Sequence, residues 1–127
     1  MANKAISSNK APCALGPYSQ AVKAGNTVYV SGNLGLIPET GEFAGDDTGA
    51  QTRQALMNIQ NVLAVEGYTL ADVVKATVFM KDLGEFGTMN KIYAEFFTEP
   101  YPARSAVQVA ELPKGALVEI EVIAVRE

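Results

Sequence analysis

The alternation of apolar and polar positions predicts strands along much of the chain. Side chains on a strand point alternately to opposite faces, so the parity of a position assigns its face. In the last strand the even positions form an ordinary core face: Val118, Ile120, Val122 and Ala124. The odd positions carry two carboxylates, Glu119 and Glu121, between Leu117 on one side and Ile123 and Val125 on the other. Because both ends of this second face are apolar, we expect it to be covered as well.

Another strand precedes this one, before a turn at Pro113-Lys114-Gly115. One of its faces carries Arg104, Ala106 and Gln108, and the other face carries valines. A covered carboxylate is costly unless it is paired, hydrogen-bonded or protonated. Arg104 and the glutamates are therefore the first candidates for chemistry. A structural ion pair, or a strand face that is simply exposed to water, is the alternative that this pattern leaves open.

The N-terminal part of the chain predicts three more strands. The first is short, lies within Ile6 to Ala14 and is followed by a loop. The second runs from Tyr18 to Ala24 after a Gly16-Pro17 turn. Gly25-Asn26 forms a two-residue hairpin loop that returns the chain into a third strand at positions 27–31.

Two glycines, Gly32 and Gly35, follow the third strand. Their spacing does not match a phosphate-binding loop, and no helix follows directly. Glycine inside a strand more often indicates a bulge or a close approach of another group to the backbone. We therefore expect a structural role for both glycines.

Apolar residues at helical spacing predict two amphipathic helices separated by a strand. A Thr48-x-x-Gln51 capping box begins the first helix, and Gly67 follows its end. An Asp82-x-x-Glu85 motif begins the second. The positions at helical spacing in the first helix are Thr52, Ala55, Leu56, Ile59, Val62 and Leu63, and the apolar set of the second helix is Phe86, Met89, Tyr93, Phe96 and Phe97. The strand between them runs from Asp72 to Lys81.

Asn90 lies on the apolar stripe of the second helix, four residues after Phe86. A polar amide in such a place needs hydrogen-bond partners. It either ties down a neighbouring loop or contacts a ligand, and the sequence leaves both alternatives open.

The predicted order of elements is β-β-β-α-β-α-β-β, which indicates an α+β fold with both helices on one face of a mostly antiparallel sheet. Several strands nevertheless carry apolar residues on both faces. In the fourth strand, Val73 and Phe79 oppose Val74, Val78 and Met80. A two-layer domain would leave one apolar face uncovered, so we expect self-association through it in a closed, symmetric oligomer.

Composition excludes several classes of site. The 127 residues contain no histidine, which removes Ser-His-Asp and Cys-His arrangements and imidazole metal sites. No EF-hand-like spacing supports a carboxylate cation site, so no metal is expected. The net charge is −4 and the basic residues are scattered, which argues against a nucleic-acid partner. Acid-base chemistry must then come from Glu, Asp, Tyr, Lys or the single thiol.

Composition and the N-terminal sequence also bear on the cellular compartment. A single cysteine, Cys13, allows no intrachain disulfide, and we expect it to be an ordinary loop residue. No apolar run approaches the roughly 18 residues that suggest a membrane span. The first twelve residues contain no apolar segment of the kind found in secretory signals. These features predict a cytoplasmic protein without membrane contacts, with an organelle as the alternative.

Five segments of the chain resemble the RidA (YjgF) family of reactive-intermediate enamine/imine deaminases. They are Gly16-Pro17-Tyr18-Ser19-Gln20, Val30-Ser31-Gly32, Thr77 to Leu83, Pro102 to Val107, and Leu112 to Gly115 with Glu119 to Val125. The resemblance spans nearly the whole chain and implies one RidA-like domain over residues 1–127. It implies a chorismate-mutase-like α+β fold assembled as a homotrimeric barrel, with clefts between adjacent subunits. The implied activity is hydrolysis of 2-imino acids, such as 2-iminobutanoate and 2-iminopropanoate, to 2-oxo acids and ammonia without a cofactor.

The resemblance also implies roles for individual residues. Arg104 matches the arginine that binds the substrate carboxylate, and Glu119 matches the glutamate that positions or activates water. Tyr18 lines the cleft, with an apolar edge-capping role as its alternative. Two more positions match polar residues near the cleft, Ser31 and Asn90. Ala106 stands where bacterial members often have cysteine; alanine keeps the backbone amide that contacts the ligand and lacks the thiol.

Two other functions remain as alternatives at this stage. One is the endoribonuclease or translation-inhibitor activity attributed to some relatives, against which the acidic charge and the absent histidine count. The other is a non-catalytic protein that binds small carboxylates in the same clefts. Arg104 together with Glu119 favours catalysis, because a site that only bound a carboxylate would gain nothing from a nearby glutamate.

Overall fold

Six strands and two α-helices follow one another in the predicted order. The computed structural model describes residues 2–127. Its elements are β1 (Lys4–Ile6), β2 (Ala21–Ala24), β3 (Thr27–Leu34), α1 (Thr48–Ala64), β4 (Val73–Met80), α2 (Phe86–Phe96), β5 (Ala103–Gln108) and β6 (Val118–Val125). Short 3-10 turns at Leu70–Asp72, Leu83–Glu85 and Pro113–Gly115 lead into β4, α2 and β6. Within the described residues, neither helix combines the length and apolarity needed to cross a membrane.

All six strands form a single mixed sheet in the order β1-β2-β3-β6-β4-β5. Its one parallel pair is β4 with β5, and the other pairs are antiparallel. Although β5 and β6 are consecutive in the chain, β4 lies between them. The strand of Arg104 and the strand of Glu119 are therefore not neighbours.

Both helices cover the same face of the sheet, which confirms the predicted α+β architecture. Alternate residues of the central strands are buried together with the inner sides of both helices, in one continuous core. The strand residues of this core include Val28, Val30, Ala76, Val78, Met80, Val118, Ile120, Val122 and Ala124, and the helix residues include Leu56, Ile59, Leu63, Met89 and Tyr93. Burial of these side chains stabilises the fold through the hydrophobic effect.

The other face of the sheet carries apolar side chains that no helix covers. Tyr29, Val107 and Val125 are 51%, 43% and 38% exposed, and they lie beside the half-buried Phe79 and Ile123. The prediction that this face, called the open face below, is apolar is thus confirmed. Its burial by another subunit stays a prediction.

The predicted helix starts need correction. The N-cap of α1 is Asp47, not Thr48: its carboxylate accepts a hydrogen bond of 2.8 Å from the Ala50 amide. Gln51 is not part of a capping box, because its side chain donates to the Gly45 carbonyl and accepts from the Leu117 amide. Likewise, the Asp82 carboxylate caps the 3-10 turn before α2, and α2 itself has no side-chain cap.

Two strand boundaries and one face assignment also differ from prediction. The pairing of β2 begins at Ala21 rather than Tyr18, and β1 lies at Lys4–Ile6, before most of the predicted segment. A bulge in β4 between Val73 and Lys75 exchanges two side chains, so that Val73 is buried and Val74 is 49% exposed. The strand alternation cannot reveal an inserted residue of this kind.

Candidate functional site

The carboxyl group of Glu119 lies on the open face of the sheet. Glu119 faces Leu34 of β3 on one side and Phe79 of β4 on the other, and it is half-buried. Burial raises the pKa of Glu119 above its ordinary value, and the nearby charge of Glu121 raises it further. Within residues 2–127, no three histidine, cysteine, aspartate or glutamate side chains cluster so as to hold a metal ion.

A cavity of about 310 Å³ opens beside Glu119. Tyr18 and Ser31 line it together with Glu119, so three of the predicted site residues share one space. Tyr18 is 55% exposed at this cavity. The Ser31 hydroxyl donates a hydrogen bond of 2.6 Å to the Ser19 carbonyl, so it also fixes the loop next to Tyr18.

The loop that forms one wall of this cavity is held by Gln20. Its side-chain oxygen accepts from the Ser8 amide at 2.6 Å, and its side-chain nitrogen donates to the Pro12 carbonyl at 2.7 Å. Cys13, directly after Pro12, lines the cavity and is exposed. Gln20 lies within a segment that resembles the family, but no role was predicted for it. Its backbone partners are 8 to 12 residues away in the sequence, so a strand or helix pattern does not reveal them.

Arg104 lies on the opposite face of the sheet, on the side of α2. Its guanidinium carbon is 4.7 Å from the centre of the Tyr93 ring and 5.3 Å from that of the Phe86 ring. The guanidinium also donates a hydrogen bond of 2.7 Å to the side-chain oxygen of Asn90. Cation–π contacts and the amide thus hold the planar guanidinium in one orientation.

The partners of Arg104 decide two alternatives left open by the sequence. Among residues 2–127, Arg104 forms no ion pair, so the structural ion pair with a glutamate does not exist within the chain. In the described part of the chain the side chain of Asn90 bonds to Arg104 and to no loop, and its contact with a ligand stays a prediction. The guanidinium has no other hydrogen-bond acceptor among these residues, which leaves donors for a planar anion.

A second cavity, of about 420 Å³, lies at Arg104. Tyr93 and Tyr101 line it beside Arg104 and Asn90, and Tyr101 is 59% exposed. Neither tyrosine was predicted as a site residue, although Tyr93 follows Asn90 by three positions on the same helical stripe. Ala106 lies on the same strand face as Arg104, where it packs partly against the core.

The predicted site residues therefore form two groups separated by the sheet. Arg104 pairs in register with the buried Ala76, on the helix-covered face, whereas Glu119 pairs with Phe79 on the open face. Side chains on opposite faces of one sheet cannot enclose a common ligand. A site that contains both Arg104 and Glu119 requires two chains.

Comparison with known proteins identifies relatives of the whole chain. The family described as Endoribonuclease L-PSP matches residues 8–126. The chain is 47% identical over 126 residues to 2-iminobutanoate/2-iminopropanoate deaminase from Bos taurus, covering 99% of this chain and 92% of that protein. Among solved structures, RidA from the Antarctic bacterium Psychrobacter sp. PAMC 21119 is 50% identical with a TM-score of 0.93, covering 97% of this chain and 99% of that one.

Another similar solved structure contains a bound ligand. Escherichia coli TdcF with bound serine is 44% identical, with a TM-score of 0.93, and covers 98% of this chain and 99% of that one. These proteins share both their fold and close to half of their residues with this chain over nearly its whole length. The chain therefore belongs to the Endoribonuclease L-PSP family, which is the RidA (YjgF) family.

Proposed function

We propose that this protein hydrolyses 2-imino acids, such as 2-iminobutanoate and 2-iminopropanoate, to 2-oxo acids and ammonia. The observation that carries the proposal is the pair of Arg104 and Glu119: a guanidinium held in place with free donors, and a half-buried carboxyl with a raised pKa. The identity to the bovine protein named for this reaction supports the same choice of substrate.

Arg104 binds the carboxylate of the imino acid in this proposal. A planar guanidinium matches a carboxylate with two parallel hydrogen bonds, which a lysine ammonium does not. Asn90 and the ring of Tyr93 hold the guanidinium before substrate arrives, which reduces the conformational entropy lost on binding. The amide of Ala106, two residues further along the strand, is the proposed second contact to the ligand.

Glu119 moves the protons of the reaction. The ionised carboxyl takes a proton from water as the water oxygen bonds to the imine carbon, and it passes this proton to the imine nitrogen to give a neutral carbinolamine. It then takes the proton of the carbinolamine hydroxyl and passes it to the same nitrogen as the carbon–nitrogen bond breaks, so ammonia leaves, the 2-oxo acid forms and the carboxylate is regenerated. A single carboxyl can serve in both directions when its pKa lies closer to neutrality than usual. No cofactor is needed, because the imine carbon is already electrophilic.

We further propose that the active assembly is a homotrimer. The open face carries Tyr29, Val107 and Val125 in exposed positions, and its burial between subunits gives a closed, symmetric arrangement. Each site then combines Tyr18, Ser31 and Glu119 of one subunit with Arg104, Asn90 and Ala106 of the next.

The assembly is tested by light scattering coupled to size-exclusion chromatography at micromolar concentration. We expect a single species with about three times the 13.5 kDa mass of the chain. A stable species with the mass of one chain would contradict both the trimer and a site shared between subunits.

The reaction is tested by generating 2-iminobutanoate in the cuvette with an amino-acid oxidase and trapping the remaining imine with semicarbazide. We expect less semicarbazone, and more 2-oxobutanoate, with the protein than without it. An unchanged yield of semicarbazone would contradict the proposed function.

Two alternative functions, RNA cleavage and the binding of small carboxylates without catalysis, are tested in parallel measurements. The matched family is described as an endoribonuclease, so labelled RNA is incubated with the same preparation. The net charge of −4 and the lack of histidine predict no cleavage. A protein that binds 2-oxobutanoate by calorimetry but leaves the imine unaltered would instead be a small-carboxylate-binding protein.

A further inference from the structure

The carboxyl group of Glu119 packs directly against the backbone of Gly32. Gly32 lies in the stretch of β3 where the register with β6 shifts, between Val30 and Asn33. A Cβ atom at Gly32 would stand 2.7 Å from Oε2 of Glu119 and 2.8 Å from its carboxyl carbon. Real Cβ atoms essentially never approach another heavy atom this closely, so the carboxyl occupies space that only glycine leaves free.

Gly32 and Gly35 both lie where a side chain would overlap a neighbouring group, but the neighbouring groups differ. A Cβ at Gly35 would overlap the carbonyl oxygen of Gln51, which belongs to the backbone of α1. Relieving that overlap requires a movement of the helix, so Gly35 serves the fold. The overlap at Gly32 involves the side chain of Glu119 from Cγ to Oε2, and rotation of that flexible side chain relieves it without moving backbone.

We propose that Gly32 is a positioning residue, whose missing side chain sets the place of the Glu119 carboxyl at the wall of the cavity. This inference rests on the proposed function and deepens it, because it names what fixes the proton-transfer group. A displacement of about 1 Å in such a group is enough to lower a reaction rate substantially.

The burial of the carboxyl is the second property that depends on Gly32. Burial raises the pKa of Glu119, so a methyl group that turns the carboxyl towards solvent lowers that pKa. The other charged groups around it are Glu121 on its own strand and Lys114 in the turn before β6. Cys13 and Tyr18 face the same cavity from the N-terminal loop. The three atoms nearest to a methyl group at Gly32 all belong to Glu119 rather than to these groups.

The test is Gly32→Ala, with Gly87→Ala as the matched control because nothing lies within 4 Å of a Cβ at Gly87. We expect Gly32→Ala to keep the urea midpoint of wild type and to lose about 10- to 100-fold in kcat/KM for 2-iminobutanoate. Gly87→Ala should keep wild-type kcat/KM. Wild-type kcat/KM in Gly32→Ala would overturn the inference.

A double-substitution cycle separates positioning from a merely structural role. Glu119→Gln should cost much less kcat/KM in the Gly32→Ala background than in wild type, because the carboxyl is already misplaced there. Equal costs in the two backgrounds would overturn the inference. If Gly32→Ala lowers the urea midpoint, Glu119→Ala in the same chain should restore it, and a midpoint that stays low would overturn the inference as well.

A titration that needs no activity distinguishes this inference from the proposed function. The carboxyl carbon of Glu119 is followed by NMR against pH in wild type and in Gly32→Ala. We expect a lower pKa for Glu119 in Gly32→Ala, and an unchanged pKa would contradict the role of Gly32. If wild type hydrolyses no imine, the proposed function fails while this titration still decides where Gly32 places the carboxyl.

Discussion

Replacing Glu119 with glutamine is expected to bring hydrolysis of 2-iminobutanoate close to its uncatalysed rate. Glutamine has nearly the same shape but can neither accept nor return a proton, and positioned proton transfer contributes about 10²- to 10⁴-fold to such rates. The substitution should leave the fold intact, because the side chain of Glu119 forms no ion pair within residues 2–127 and its backbone pairing with Leu34 and Phe79 does not depend on the carboxyl. The semicarbazide assay measures the rate, and calorimetry with 2-oxobutanoate measures binding.

Binding should survive this substitution and even strengthen, because a negative carboxyl no longer repels the carboxylate of the ligand. Glu121→Gln is the matched control, since Glu121 lies on the same face of β6 but is exposed. It should keep most of the activity. Equal acceleration by wild type and Glu119→Gln would show that another group transfers the protons.

We also expect Glu121→Gln to change how kcat/KM depends on pH. The charge of Glu121 helps to raise the pKa of Glu119, so Glu121→Gln should lower that pKa. The proposed mechanism begins with ionised Glu119, and a lower pKa extends the ionised form to lower pH. The acidic limb of the kcat/KM profile should therefore move to lower pH in Glu121→Gln. A shift in the opposite direction would contradict the assignment of this limb to Glu119.

Arg104→Lys is expected to lower kcat/KM by about 10- to 100-fold, which corresponds to the roughly 1.5–3 kcal/mol of a charge-assisted hydrogen-bonded contact. Lysine keeps the charge but lacks the planar pair of donors for a carboxylate. It also loses the stacking on Phe86 and Tyr93 that orients the guanidinium. Steady-state kinetics with 2-iminobutanoate measure the loss, and a urea titration verifies that the fold is retained.

Arg53→Lys is the control for this substitution. Arg53 forms a two-point ion pair with Glu95 between the helices, at 2.9 Å and 3.2 Å, but it is exposed and lines neither cavity. Exposed pairs contribute little to stability, so both activity and unfolding should change only slightly. Wild-type kcat/KM in Arg104→Lys would assign Arg104 a structural role on α2 instead of substrate binding.

The elements and the core were predictable because they depend on local pattern. Even positions of β6 are buried and odd positions are not, as strand alternation requires, and the helical stripe containing Leu56 and Ile59 is fully buried. The close approach expected at Gly32 is also present. The first two features follow from the two-residue repeat of a strand and the 3.6-residue repeat of a helix. The third follows from the missing side chain of glycine.

The arrangement of the candidate site was not predictable from the residues alone. Strand order places β4 between β5 and β6, and this order depends on long-range packing rather than on local pattern. The registers of β5 and β6 with β4 also place Arg104 and Glu119 on opposite faces of the sheet, a separation that parity within each strand cannot reveal. Local pattern also did not reveal the bulge that exchanges Val73 and Val74. Nor did it reveal the hydrogen bonds that the Gln51 side chain makes to the backbone of Gly45 and Leu117.

The most direct test of the account is complementation between two variants that each have strongly reduced activity. Subunits with Arg104→Lys and subunits with Glu119→Gln are produced together, each with its own affinity tag, and mixed assemblies are isolated through both tags. If each site takes Arg104 from one subunit and Glu119 from the next, every mixed trimer contains one intact site, and about one third of wild-type activity should return. If mixed assemblies are as inactive as the two parents, Arg104 and Glu119 do not act together across a subunit boundary.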